Sequence, residues 1–141
     1  MADYTTGRVW LGRLPKGADL IEAVNEICAR ENIAIASVTG IGTVVRARIG
    51  FFDQRRRVFS FFETNGEMEL TSLTGNVSQK DGKPSAHLHG VFSDQSGQTV
   101  GGHVADGTIM YSCECVITEY CGPELARTLD AETGLMLWQK K

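Results

Sequence analysis

The chain contains no apolar run approaching the ~18 to 20 residues that a membrane-spanning helix requires. Its opening segment, MADYTTGRVW, has neither the basic start nor the apolar stretch of a signal peptide. The expectation is a cytoplasmic protein with no membrane partner. Basic charge is also scarce: 14 Lys and Arg stand against 17 Asp and Glu, a net charge of −3. Nucleic-acid-binding domains usually show the reverse balance, because phosphate contacts supply most of their affinity. The one basic cluster, Arg55 to Arg57, is expected at a solvated hairpin tip. Cysteine is limited to Cys28, Cys113, Cys115 and Cys121, with no CxxC knuckle. Cys113 and Cys115 would share a strand face and could not easily bridge each other. All four are expected as reduced thiols packed like small hydrophobes.

What is present suits one globular domain. A chain of 141 residues can bury roughly two-thirds of its unfolded surface in a single core. Arg8–Leu14 reads as a strand closed by Pro15 and Gly17. Across Ala18–Asn32 the apolar residues Leu20, Ala23, Val24, Ile27 and Cys28 recur at helical spacing and form one stripe. Asp19 with Glu22 three residues on has the form of a capping box, with Gly17 as the alternative start.

From Ile33 the pattern becomes β. Thr39–Val45 holds Gly-x-Gly without the third glycine and helix of a dinucleotide loop, so it predicts a strand with a bulge or bend. Val44–Phe52 alternates, Arg57–Thr64 and Glu67–Ser78 flank the turn TNGE, and Ile109–Tyr120 is a long strand. Turn signals at KDGKPS, DQSG and ADGT suggest an antiparallel meander. Pro123–Asp130 is expected as a short helical turn and Gly134–Gln139 as a last strand. Trp10, Trp138 and the Phe pairs are expected in the core or in a subunit contact. The sum is α+β: a mostly antiparallel sheet with one main helix packed on it.

All three histidines, His87, His89 and His103, fall within SAHLHGVFSDQSGQTVGGHV. On a strand His87 and His89 project from the same face, with Cα atoms roughly 6.5 to 7 Å apart. If the following hairpin sets residue 89 opposite residue 103, all three imidazoles share that face. This register requires an odd-length loop or one bulge, for which Gly101 and Gly102 supply backbone freedom. Crowded imidazoles repel once any is charged, whereas a metal takes them as neutral ligands. Three protein ligands suit zinc, or another divalent transition metal. They leave one position for water, a small-molecule ligand or a neighbouring subunit's carboxylate. Ser85 and Ser93 lack an orienting acid and make poor nucleophiles.

The HLHGVF…GGHV combination, with LPKGADLIEAV, VTGIGTV, MELTSLTGNVS and CECVITE around it, resembles the PPC (plants and prokaryotes conserved) domain family. The resemblance runs from about Arg8 to Glu119 and leaves 120–141 as a C-terminal extension of a single domain over 1–141. It implies a compact α+β domain that assembles as a homotrimer, with His87, His89 and His103 associated with zinc or a similar metal. It also implies a DNA-binding label, because plant relatives join this domain to AT-hooks. The Arg-Gly-Arg-Pro core of an AT-hook is absent, and Glu67 in GEMELT stands where the plant motif Gly-Arg-Phe-Glu-Ile-Leu has arginine.

Two classes of function follow. One is a metal-stabilised trimeric module that is regulatory or binds DNA or protein. The other is a metal-dependent enzyme acting on a small oxyacid, with Glu63, Glu67 and Glu69 as candidate acids or bases. With net charge −3 and no AT-hook, binding to duplex DNA at physiological salt should be no tighter than ordinary non-specific association, about 10⁻⁴ to 10⁻⁶ M. It should fall steeply with salt and depend on Arg55 to Arg57. Fluorescence anisotropy checks this, and a salt-resistant nanomolar complex would refute it.

Overall fold

Residues 2–64 and 66–139 are described in a computed structural model of the chain. The turn expected at Thr64–Glu67 includes Asn65, which lies outside the described residues. In chain order the elements are β1 (Thr5–Arg13), α1 (Leu20–Arg30), β2 (Ala36–Arg46), β3 (Arg48–Asp53), β4 (Val58–Glu63) and β5 (Met68–Lys80). They continue with β6 (Lys83–Ser93), β7 (Thr99–Val104), β8 (Ile109–Cys121), β9 (Arg127–Asp130) and β10 (Leu135–Trp138). The architecture is the expected mostly antiparallel sheet with one helix.

Helix α1 begins where its sequence can satisfy free N–H groups. Asp19 Oδ1 accepts from the amides of Ile21 (2.9 Å) and Glu22 (3.2 Å), as an N-cap does. The buried stripe is the expected one: Leu20, Ala23, Val24, Ile27 and Cys28. It packs on one face of the sheet, against a core that includes Leu73, Leu88, Phe92, Met110 and Ile117. Three cysteines, Cys28, Cys113 and Cys115, are buried free thiols, and Cys121 is exposed. Burial raises the thiol pKa values of Cys28 and Cys113 to about 11 and of Cys115 to about 12, so they stay protonated and inert.

The sheet runs β1-β8-β2-β5-β6-β7-β3-β4, with every pairing antiparallel. It is therefore not a simple meander. Turn signals reveal only hairpin neighbours, here β5-β6-β7 and β3-β4. The insertion of β8 between β1 and β2 is a long-range pairing with no local cue. The glycine-rich segment of β2 does carry a register shift, between Gly40 and Gly42. The alternating stretch Val44–Phe52 breaks at Ala47, which is fully buried. Its N–H donates to Thr64 Oγ1 and its carbonyl accepts from Thr64 N, both at 2.9 Å. That break carries the chain from the middle of the sheet to its far side.

Pro123–Asp130 forms no helical turn. Arg127–Asp130 is strand β9, paired with β10 from Arg127↔Trp138 to Asp130↔Leu135. A turn with Thr133 bonded to Asp130 and with Gly134 at φ +78° joins the two strands. Pairing with the apolar Leu135–Trp138 strand satisfies backbone groups that one helical turn would leave open. The aromatic residues also separate. Phe92 is fully buried and Trp10 packs against the core, whereas Phe51, Phe59, Phe61, Phe62 and Trp138 are exposed. Among the described residues no helix is long and apolar enough to cross a membrane.

Asp19 does two jobs, because its Oδ2 also accepts from Gly107 N at 2.6 Å and ties the helix start to the turn before β8. Asp19→Ala should lower unfolding free energy by about 1 to 2 kcal/mol, the upper part of the range for a lost N-cap. Asp19→Asn should cost less. Urea denaturation of both variants measures this.

Candidate metal centre

Two turns place the histidines. Asp81 (φ +52°) and Gly82 (φ +73°) form a two-residue hairpin turn of the left-handed kind that matches strand twist. It sets Lys80 opposite Lys83, and from there Asn76 opposite His87 and Thr74 opposite His89. The next connection, Asp94–Gln98, is closed by Asp94 Oδ1, which accepts from Ser96 N, Ser96 Oγ and Gln98 N. This loop has odd length, so β7 returns with His103 directly opposite His89. Gly101 and Gly102 stay in register with Val91 and Gly90, and no bulge is needed.

The three imidazoles consequently share one face, opposite the helix. Ring centroids are 5.3 Å apart for His87–His89, 5.0 Å for His87–His103 and 5.5 Å for His89–His103. One nitrogen from each ring lies within 4.8 Å of the others. A tetrahedral zinc with Zn–N of about 2.0 to 2.1 Å would draw those nitrogens to about 3.3 Å from one another. The donor set, three imidazoles, also fits. The His87 pKa falls to about 4, first because half-burial disfavours the charged ring, then through Arg127, His103 and His89. His103 is likewise lowered, by burial and then by His89 and Arg127. Rings held neutral are ready ligands.

Around the triad the strands supply an apolar wall. Gly50 lies opposite His103 on β3 and opposite Phe61 on β4. A side chain there would meet the Phe61 ring at 2.9 Å and the Phe59 ring at 3.2 Å. Glycine thus lets Phe59 lie 5.0 Å from His103, centroid to centroid. The β9–β10 hairpin forms the opposite side. Trp138 Nε1 donates to the buried Ser78 Oγ at 3.0 Å, and Arg57 donates to the carbonyls of Ala131 and Glu132. Between hairpin and sheet lies a cavity of about 590 Å³ that contains the triad, Phe59, Arg127 and Leu135 in its lining.

Several expected residues sit elsewhere. Glu63 faces Arg48 at 3.9 Å, Glu69 pairs with Ser93 at the far end of β6, and Glu67 precedes β5. None of the three lines the cavity, nor does any other described carboxylate. Ser85 does line it, without a neighbouring acid. The Arg55–Arg57 cluster is in the β3–β4 turn as expected, yet Arg57 is docked onto the C-terminal hairpin rather than simply solvated. Sequence reasoning passed over Arg127 and its hairpin. The available signal was Asp130 and Gly134 bracketing a turn between two short alternating strands.

The profile of the Plants and Prokaryotes Conserved (PCC) domain matches residues 1–121. The chain belongs to that family. Its fold agrees with a plant- and prokaryote-conserved protein of Pyrococcus horikoshii at a TM-score of 0.94 and 32% identity, covering 99% of this chain and 96% of that one. A metal-containing protein from Archaeoglobus fulgidus gives a TM-score of 0.94 and 33% identity, covering 99% of each. A protein from Ralstonia eutropha JMP134, named as a DNA-binding candidate, gives 0.83 and 27%, covering 98% and 96%. The chain is also 26% identical to the bifunctional protein GlmU of Synechococcus sp. (strain JA-3-3Ab) over 131 residues. That is 92% of this chain and 20% of the relative, so the chain spans about a fifth of that protein's length.

The lowered His87 pKa fixes a pH dependence for the metal-free PCC domain. Above the ordinary 6.5, folded and unfolded forms are both neutral and the group contributes no pH dependence. Between 6.5 and about 4 the unfolded chain takes a proton that the folded one does not, so stability falls as pH drops through this window. Below about 4 the loss levels off. Urea denaturation of EDTA-treated protein across this range should show the decline, and His87→Gln should flatten it. An identical profile for the two proteins would contradict the assigned burial of His87.

Proposed function

We propose that this PCC-domain protein is a cytoplasmic, single-domain module over 1–141 that binds one divalent transition metal per chain, zinc in the first instance, through His87, His89 and His103, and works as a homotrimer. The observation that carries the metal assignment is the convergence of three imidazoles from two adjacent strands, each with a nitrogen within 4.8 Å of the others. The metal-containing Archaeoglobus relative, at 33% identity over nearly the whole chain, supports it. When bound, such an ion supplies a Lewis-acidic position open to one further ligand.

The trimer is supported by apolar surface on the sheet face away from α1. Leu11 is 69% exposed and Ile41 57% exposed, and both border one shallow groove. Large exposed apolar side chains grouped in this way mark association surfaces.

Of the two functional classes, the binding or regulatory module is favoured over the metalloenzyme acting on a small oxyacid. No described carboxylate lines the cavity, so a general base beside the metal is not provided by Glu63, Glu67 or Glu69. A DNA partner, suggested by the name of the Ralstonia relative, would be met by the exposed Arg55 and Arg56 through phosphate contacts without base readout.

Native mass spectrometry of untagged protein, paired with elemental analysis, tests both halves. The expected species is three chains of 15.4 kDa carrying three metal ions. His89→Ala should reduce metal content to near nothing while the fold survives, because His89 is exposed and the core lies on the opposite face. Full metal content in that variant would end the three-histidine assignment, and a monomer at micromolar concentration would end the trimer.

A further inference from the structure

The cavity above the triad has a chemical bias that the metal ligands do not explain. Arg127, from β9, reaches over the sheet and lines the cavity beside His87. Its Nη2 donates to Asn76 Oδ1, the residue directly across from His87, and its Nη1 donates to the Met136 carbonyl at 3.3 Å. These bonds hold the guanidinium in place. Its Nε–H is buried and has no partner among the described residues. A buried donor on a charged group is costly to leave unmatched, and native structures rarely do so without a reason.

The guanidinium has five N–H donors in a rigid fork. Two are used here, which leaves three to be matched: the buried Nε–H and one proton on each Nη nitrogen. Arg57 and Lys80 also line the cavity, and no described acid does. Every formal charge in the lining is therefore positive. The rest of the wall is apolar: Phe52, Phe59, Leu135 and Leu137 face the same space. A volume of about 590 Å³ falls in the range of small-molecule sites, which are mostly apolar with a few converging polar groups.

We infer that this cavity binds a small organic oxyanion, a carboxylate or phosphoryl group on an apolar body, whose charged end is gripped by Arg127. The inference rests on the metal-site reading only for the added positive charge beneath the ligand. Arg127 is a binding residue here, and its hairpin lies beyond residues 1–121, the part matched by the family profile.

Titration calorimetry on the full chain tests this with mandelate and phenylphosphonate as probes, against uncharged mandelamide. Metal content is measured on the same samples. Wild type should bind at least one of the two anions, and mandelamide at least tenfold more weakly than mandelate if mandelate is that anion. The choice between mandelate and phenylphosphonate distinguishes carboxylate from phosphoryl recognition. Arg127→Met should weaken anion binding at least tenfold with metal content unchanged, and Arg127→Lys should recover part of it. Equal anion affinity in wild type and Arg127→Met overturns the inference, as does failure of wild type to bind either anion. The mandelamide comparison needs no variant and guards against misfolding of Arg127→Met. Absence of metal from wild type would defeat the metal reading alone, since the wild-type to Arg127→Met ratio still decides this one.

Discussion

The arrangement depends on one cross-strand pair, His89 opposite His103. Side chains on a strand alternate with period two, so a slip of one residue would send His103 to the helix face. There it would enter a core of Leu88, Phe92 and Val104 with no polar partner in the core cluster. The apolar pattern of β6 and β7 therefore enforces the same register that assembles the triad. Packing and ligand geometry are satisfied by a single choice, and the Asp94 loop holds it.

The two faces of the sheet divide the labour. The helix face is dry, with Leu20, Val24, Leu88 and Ile117 fully buried, and it supplies stability. Where β6 runs past the end of β7, Asn25 of α1 accepts from the Ala86 amide at 2.8 Å. That bond satisfies the strand one residue before His87 from the opposite side of the sheet. The other face carries the histidines, Asn76 and the aromatic wall, and is roofed by the C-terminal hairpin. A site built on strands with a rigid core behind them keeps its donors placed before any ligand arrives.

Half-burial sets the chemical state of the site. Charging His87 would bring a cation next to Arg127, His89 and His103, and each of these interactions lowers its pKa. His87 and His103 are thereby favoured as neutral rings, the form in which an imidazole can ligate a metal. The same surroundings are positive, with Arg57, Lys80 and Arg127 in the cavity lining and no carboxylate there among the described residues.

Local chemistry alone determined much of the molecule. The stripe Leu20–Ala23–Val24–Ile27–Cys28 specified a helix and its buried face, because a 3.6-residue period allows few alternatives. The HxH spacing specified two imidazoles on one side of a strand, and the GGH segment a third within reach of the next strand. Family resemblance read from those motifs agrees with the matched domain over residues 1–121. Three things were decided only in tertiary structure. The placement of β8 between β1 and β2 joins segments far apart in sequence, and no local turn encodes it. The β9–β10 hairpin overrode a short helical turn, since four-residue strands gain their stability from each other and from docking on Ser78 and Arg57. Arg127 entered the site by that docking. Its role depends on a contact with Asn76 that is 51 residues away in the chain, a distance over which periodicity carries no information.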